Sequence, residues 1–338
     1  MLTRSLSLRL GALVAAVALS VTGAVAVADA PAADHAEASK QGKDPRTSRG
    51  LFVDSLMPAA NQEPVYRNQI GSYAQALWII PEAYGTPWVR DIVRDYTRRA
   101  LDANKTPMLV IYGIPGRDCG SHSSGGALQT AAQYRAWIKQ VAAGVRNQTA
   151  IVVVEPDALP LFSSSVAACP TKPEGWQAML RFANKVLGKT DAWVYLDAGH
   201  SNWTPYDDRP AFLKQAGIQY IRGFSTNVSN FRTTGSEKKY AETLLRGLRK
   251  LGIRGKHYVV DTSRNGANGG PQDDQVLNPV WARVGQPPRL LFQGPFDGRL
   301  WVKHPGESDG QVNGGPPSGQ WCDLLADRLL GRPDSGVC

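Results

Sequence analysis

The 338-residue chain has no run of basic residues longer than two, although its formal net charge is +9. Lys and Arg are scattered, with Arg98-Arg99 and Lys238-Lys239 as typical clusters, so the basic patch of a nucleic-acid-binding surface is missing and nucleic acid is not an expected partner. Cysteine is scarce, at four residues, and none forms a C-x-x-C pair, which removes the usual signature of a zinc ribbon or a dithiol redox centre. The five histidines include no H-x-x-x-H or H-E-x-x-H spacing. No linker or shift of composition divides residues 50–338, so one folded domain is expected there. The full chain's 42% hydrophobic and 20% charged content is ordinary for a globular protein.

What is present begins at the N-terminus. Arg4 and Arg9 precede an apolar stretch from Leu10 to about Val27, closed by the small-residue triplet Ala28-Asp29-Ala30. This pattern predicts a secretory signal peptide over 1–30; a membrane anchor is the alternative, but the Ala-rich core is short for a ~20-residue span. The expectation is therefore a secreted, extracellular protein with no membrane association after signal removal. Residues 31–49 carry almost no large apolar side chains and read as a disordered lead-in. In an exported protein an even cysteine count favours disulfides. The predicted pairs are Cys119 with Cys169, joining two loops at one end of the fold, and Cys322 with Cys338 at the C-terminus.

Apolar, β-branched or aromatic runs recur along the rest: "LFVD" at 51, "ALWII" at 76, "MLVIYG" at 108, "AIVVVEP" at 150, "AWVYLDA" at 192, "YIRGFST" at 220, "HYVVDTS" at 257 and "LWVKHP" at 300. Segments with helical spacing of apolar residues, such as "AAQYRAWIKQVAAGV", lie between several of them. Repeated strand–helix–strand units predict an α/β fold with parallel pairing, and seven or eight such units suit a (β/α) barrel, with an open doubly wound sheet as the alternative.

Acids follow several of these strands: Asp118 after "VIYG", Asp157 after "VVVEP", Asp197 ending "WVYLD" and Asp309 after "WVKHPGES". In a parallel barrel all strand C-termini open on one face, so the four would converge on one mouth. A single such Asp is commonly a helix cap or turn residue. As a set, with Tyr112, Trp203 and Trp301 flanking the same loops, they suit carbohydrate chemistry, because sugar rings stack on aromatic faces and glycosidic hydrolysis uses paired carboxyl groups.

Six ordered strings, "VIYGIPGRDCGSHSSGG" (110–126), "IVVVEPDAL" (151–159), "VYLDAGHSNW" (194–203), "GFSTNVSNF" (223–231), "YVVDTSRNG" (258–266) and "LWVKHPGESDG" (300–310), resemble the motifs of glycoside hydrolase family 6. The resemblance implies a distorted, incomplete (β/α) barrel with seven to eight mainly parallel strands, forming a catalytic domain over 50–338. It also implies hydrolysis of a β-1,4-glucan with inversion at the anomeric carbon, by a monomer needing no cofactor. On the family pattern Asp157 is the general acid. Asp118 matches the acid that keeps that proton in place and helps activate water, Asp309 a second candidate for the base, Asp197 a supporting acid, and Tyr112 the tyrosine crowding the distorted sugar. Trp78, His200, Trp203, Asn227, Lys303 and Glu307 fall on sugar-binding positions, although Asn227 could be a turn residue, His200 a loop cap and Lys303 an ion-pair partner of Glu307.

Two departures accompany the resemblance. The family's Trp-Cys-Asn-Pro is replaced by Val276, Leu277, Asn278 and Pro279 around "VLNP", and "DGQV" supplies no partner cysteine; Trp281 could partly replace the missing aromatic. The segments after 160 and after 310 are short, which predicts an open cleft and internal cutting. A metal-dependent hydrolase using Asp118, His122, Asp197 and His200, and a sugar-binding protein without catalysis, are the competing readings.

Overall fold

The computed structural model describes residues 50–121, 123–163, 169, 171–267, 277–336 and 338. The expected signal peptide (1–30) and lead-in (31–49), together with His122 and Val276, lie outside the described residues.

Four-residue runs with every side chain buried, such as Ile151–Val154, need cover on both faces. The fold supplies it. Strands β1 (Leu77–Ile79), β2 (Met108–Ile111), β3 (Ile151–Val154), β4 (Trp193–Asp197), β5 (Gly223–Thr226), β6 (His257–Asp261), β7 (Arg289–Gln293) and β8 (Phe296–Leu300) form one sheet in the order β1-β2-β3-β4-β5-β6-β8-β7. All neighbours pair in parallel except β7, which is antiparallel to β8. The sheet curls into a half-barrel. Successive residues point to opposite faces: Met108, Val110, Ile151, Val153, Tyr195 and Val259 fill the concave interior. Leu109, Ile111, Val152 and Val154 pack outward under helices.

Those helices follow from their sequence pattern. In α1 (Val89–Asp102) the buried Val89, Val93, Tyr96, Thr97 and Ala100 form one stripe. Helix α2 (Ala131–Val145) opens on a capping box, in which the Gln133 backbone N–H donates to Thr130 Oγ1 at 3.2 Å and the Thr130 N–H donates to Gln133 Oε1 at 3.0 Å. The short α3 (Ala158–Ser163) follows β3. Helices α4 (Trp176–Leu187), α5 (Arg209–Gln215) and α6 (Thr234–Lys250) continue the outer layer, and α7 (Asp323–Leu330) lies near the C-terminus.

Three features differ from the sequence reading. The run at 51 forms no strand, only an isolated bridge between Leu51 and Thr106. The run at 300 is the end of a strand, since β8 stops at Leu300. The β7–β8 hairpin, in "RLLFQGPFDGRL", was not foreseen. Beyond β8 the chain still approaches the far edge of the sheet: the Ala76 N–H donates to Trp301 O at 3.1 Å, and Trp78 Nε1 donates to Val302 O at 2.8 Å. This seam brings the segment carrying Lys303, Glu307 and Asp309 beside β1.

Candidate active site

The exits of β2, β3, β4, β5 and β8 surround a cavity of about 1010 Å³. Asp118, Asp157 and Asp309 line it together, with Trp78, Tyr112 and Trp203 among the aromatic walls. Acids separated by up to 191 positions (309 minus 118) thus meet at one mouth.

Two of these acids sit on left-handed backbone, at φ 56° for Asp118 and 66° for Asp157, and so does Glu155 at 49°. Asp tolerates this region better than most residues, and such conformations persist where surrounding contacts over-determine them. For Asp157 one such contact is its own backbone N–H, which donates to Asp197 Oδ2 at 3.0 Å. Asp197 lies fully buried at the tip of β4, also accepting from the Gly199 N–H at 3.1 Å and Ser225 Oγ at 3.2 Å. It positions the Asp157 backbone from below.

The loop bearing Asp118 is tied from several sides. Gly116, at φ 71°, passes so close to Thr171 that a Cβ there would lie 1.9 Å from the Thr171 carbonyl oxygen. Cys119 is joined to Cys169, and Thr171 Oγ1 donates to Gly116 O at 3.0 Å. Arg117 donates to Tyr112 O at 2.9 Å, to Ser123 O at 3.1 Å and to Glu82 at 2.9 Å, with its guanidinium 4.7 Å from the Tyr112 ring centre. Ser123 N–H in turn donates to Asp118 Oδ2 at 2.6 Å. Ser123 Oγ also meets Ser318 Oγ at 2.8 Å, so the loops carrying Asp118 and following Asp309 touch. The second disulfide, Cys322–Cys338, lies beyond this loop.

Electrostatics divides the acids. Burial pushes the Asp157 carboxyl well above the ordinary range, and the negative charges of Asp197, Asp118 and Asp309 push it further. Asp197 is raised to about 7, chiefly by burial, against the hydrogen bonds it accepts. Asp309 goes the other way. Burial raises it, but Arg264 at 2.7 Å and Lys303 at 3.2 Å outweigh that and hold it below the usual carboxylate value. Tyr112 is held far above 10 by burial and then by the Asp157 and Asp118 charges, so its phenol keeps its proton.

Lys303 does not pair with Glu307: its Nζ donates to Ser308 O at 3.0 Å and faces Asp309, whereas Glu307 pairs with His304 at 2.7 Å. Lys303, Glu307, His200 and Trp203 all line the cavity. His200 is lowered to about 3 by burial and the Arg232 and Arg209 charges, and its buried Nδ1 has no hydrogen-bond partner among the described residues. Trp78 stands edge-on to Tyr112, ring centres 5.4 Å apart. Asn227 is a correction. Its amide donates to Asp261 O at 2.8 Å, its Oδ1 accepts from the Arg232 N–H at 2.9 Å, and the adjoining Ser229, Asn230 and Arg232 form the wall instead. Trp301 is likewise core, 1% exposed, with Nε1 donating to Gln286 O. Trp281 packs on Phe231 away from the cavity wall, where Leu277 stands.

The sequence reading assigns no role to Glu155, Arg117, Arg264 or His304. Glu155 is a staple: its carboxyl accepts from Gly113 N–H (3.0 Å), Ile114 N–H (3.0 Å) and Tyr134 Oη (2.9 Å), fixing the exit of β2 to that of β3. Its position between an apolar strand and Pro156 was the available signal. Among the described residues no group of three or more His, Cys, Asp or Glu side chains could hold a metal ion, and His122 of the metal-dependent reading lies outside them.

These buried acids predict a pH dependence of stability. Burial raises Glu155 from 4.5 to about 7, Asp197 from 3.8 to about 7 and Glu237 from 4.5 to about 7. Between those limits the folded state holds protons that the unfolded chain has released, so stability falls as pH rises. His200, lowered from 6.5 to about 3, opposes this with one proton. Calorimetry should show the melting temperature falling from about pH 4.5 to about pH 7, and Glu155→Gln should flatten the slope, since a Gln oxygen still accepts from Gly113 and Ile114. A melting temperature rising across this window would contradict it.

The model of glycosyl hydrolases family 6 matches residues 53–332. The chain belongs to glycosyl hydrolases family 6. Among family relatives, Endoglucanase A of Cellulomonas fimi is 38% identical over 290 residues, covering 83% of this chain and 61% of that protein. Endoglucanase A of Thermobispora bispora is 36% identical over 302 residues, covering 88% of this chain and 64% of that protein. The chain thus spans less than two thirds of either relative's length. A solved structure of the endoglucanase Cel6 from Mycobacterium tuberculosis, in complex with methyl-cellobiosyl-4-deoxy-4-thio-β-D-cellobioside, superposes with a TM-score of 0.76 at 36% identity, covering 85% of this chain and 98% of that one. The half-barrel is therefore a family 6 fold.

Proposed function

We propose that this family 6 chain is a secreted, monomeric endo-β-1,4-glucanase that hydrolyses cellulose or a related β-glucan with inversion, without a metal or other cofactor. The observation that carries the reading is the Asp157 carboxyl, half-buried at the cavity wall under the field of Asp197, Asp118 and Asp309 and with no cation among the described residues paired to it, in a cavity with aromatic walls. A carboxyl kept neutral at neutral pH can donate its proton to the glycosidic oxygen as the C1–O bond breaks. Water attacks C1 from the opposite face, forming the new C–O bond, and its proton passes to Asp118, directly or through a second water. Asp309 is less suited to that duty, because two cations lower its basicity. Its role in the proposal is to fix Lys303 and Arg264.

Asp197 holds Asp157 in place, and protonated Tyr112 crowds the sugar at the cleaved bond. Trp78 and Trp203 offer ring faces, while His200, Lys303 and Glu307 offer polar contacts. Export is supported by the N-terminal pattern; among the described residues no helix is long and apolar enough to cross a membrane. The names of the relatives and the thio-oligosaccharide bound by the Mycobacterium tuberculosis enzyme support a β-1,4-glucan substrate.

The test uses soluble β-glucan and cellotetraose. Viscosity should fall well before reducing ends accumulate, and proton NMR of fresh product should show the α-anomer first. Cellobiose release at constant viscosity contradicts internal cutting, and a β-anomer contradicts inversion.

A further inference from the structure

His304 belongs to none of the roles assigned so far. It is buried on the seam that joins the segment after β8 to β1, and both ring nitrogens face acceptors. Nδ1 lies 2.7 Å from Glu307 Oε1 and Nε2 lies 2.6 Å from Ala76 O. A neutral imidazole carries one N–H and cannot donate to both. The main-chain carbonyl can only accept, and the Glu307 carboxyl is held below its usual range beside cationic neighbours, so the arrangement fits an imidazolium.

The charged groups facing this pair are few. Lys303 stands on the same segment, and Arg264, from the exit of β6, acts on the Glu307 side. Glu307 and Lys303 work against each other on His304, and the attraction prevails: against burial, His304 is raised above 6.5, while Glu307 is lowered. With Oε1 engaged, Glu307 has a second oxygen that accepts nothing from the described residues, on a side chain lining the cavity. His304 therefore does two things with one proton count. It ties the wall of the cleft to β1 and fixes the rotamer of a carboxylate that a sugar hydroxyl can reach.

We propose that His304, doubly protonated, is a positioning residue that presents Glu307 to the substrate, so that sugar affinity at this part of the cleft depends on the His304 charge. This rests on the glucanase reading for its substrate. His304→Gln keeps one donor but cannot span both acceptors. The expected result is a KM for cellotetraose about tenfold higher, the scale of one lost hydrogen bond to a charged group, with kcat within about twofold. In the parent, 1/KM should fall as pH rises and His304 loses its proton; in the variant that limb should disappear. An unchanged KM, or a loss confined to kcat, overturns the proposal.

Because the variant could misfold, a second measurement needs no variant kinetics. Nitrogen-15 NMR of the labelled parent should show both His304 ring nitrogens protonated at neutral pH, and a neutral ring overturns the proposal. The ring spectrum is independent of turnover. An inactive parent with an imidazolium at 304 counts against the glucanase reading, whereas an active parent with a neutral ring counts against the role of His304 alone.

Discussion

Asp157→Ala is expected to lower kcat on cellotetraose or carboxymethyl cellulose roughly 10³-fold, within the range of general acid catalysis, with little change in KM. The reason lies in where the proton is needed. A glucose leaving group departs as a poor alkoxide unless its oxygen is protonated, and Asp157 is the half-buried carboxyl, raised by desolvation and its acidic neighbours, that supplies the proton. An aryl cellobioside with an acidic nitrophenol needs little protonation to leave. The same variant should therefore retain a far larger share of activity on that substrate. A uniform loss on both would point to collapse of the site, and unimpaired hydrolysis of cellotetraose would remove Asp157 from the acid role.

The second large effect concerns stability. Asp309→Ala leaves Arg264 and Lys303 buried without the carboxylate that sits 2.7 Å and 3.2 Å away. Removing one partner of a buried ion pair costs roughly 3–5 kcal/mol, because the remaining charge stays desolvated. Arg264 keeps Ser229 O and the Phe231 ring, at 4.6 Å, as neighbours, but neither neutralises it. The melting temperature at neutral pH should fall on the order of 10 °C. The sign with pH follows from the depressed Asp309 carboxyl: its contribution is present above the unfolded value near 3.8 and is lost as pH falls through the folded value. Parent and variant should converge in strong acid. A variant that melts with the parent at neutral pH would show that the ion pairs contribute nothing.

The same two acids show how far the sequence could be read. Asp157 and Asp309 were legible because each lies near the end of an apolar run, and parallel pairing forces such ends onto one rim. Runs such as Ile151–Val154 announce themselves, whereas β7 is half-exposed, β8 carries Asp297, Gly298 and Arg299 at its centre, and Gly294-Pro295 stands between the two. Leu51–Asp54 has the composition of a strand but, among the described residues, its strand pairing goes no further than the isolated bridge between Leu51 and Thr106.

Side-chain direction at a strand exit was not legible. Asn227 and Trp301 turn into the fold, while Trp78, Trp203 and Lys303 reach the cavity, and no periodicity distinguishes them. Pairings across distance were hidden for the same reason. Glu155 meets Gly113 across 42 positions and Arg264 meets Asp309 across 45, so neither partner can be read from the local string. His304 was visible only as a letter until the seam brought Ala76 beside it.

Titration of the Asp157 carboxyl itself goes to the root of the mechanism. In protein labelled with carbon-13 at aspartate carboxyls, with the Asp157→Asn spectrum for assignment, the Asp157 signal should remain that of a neutral carboxyl at about pH 7. A carboxyl already ionised by about pH 5 would contradict a proton stored there for the leaving group.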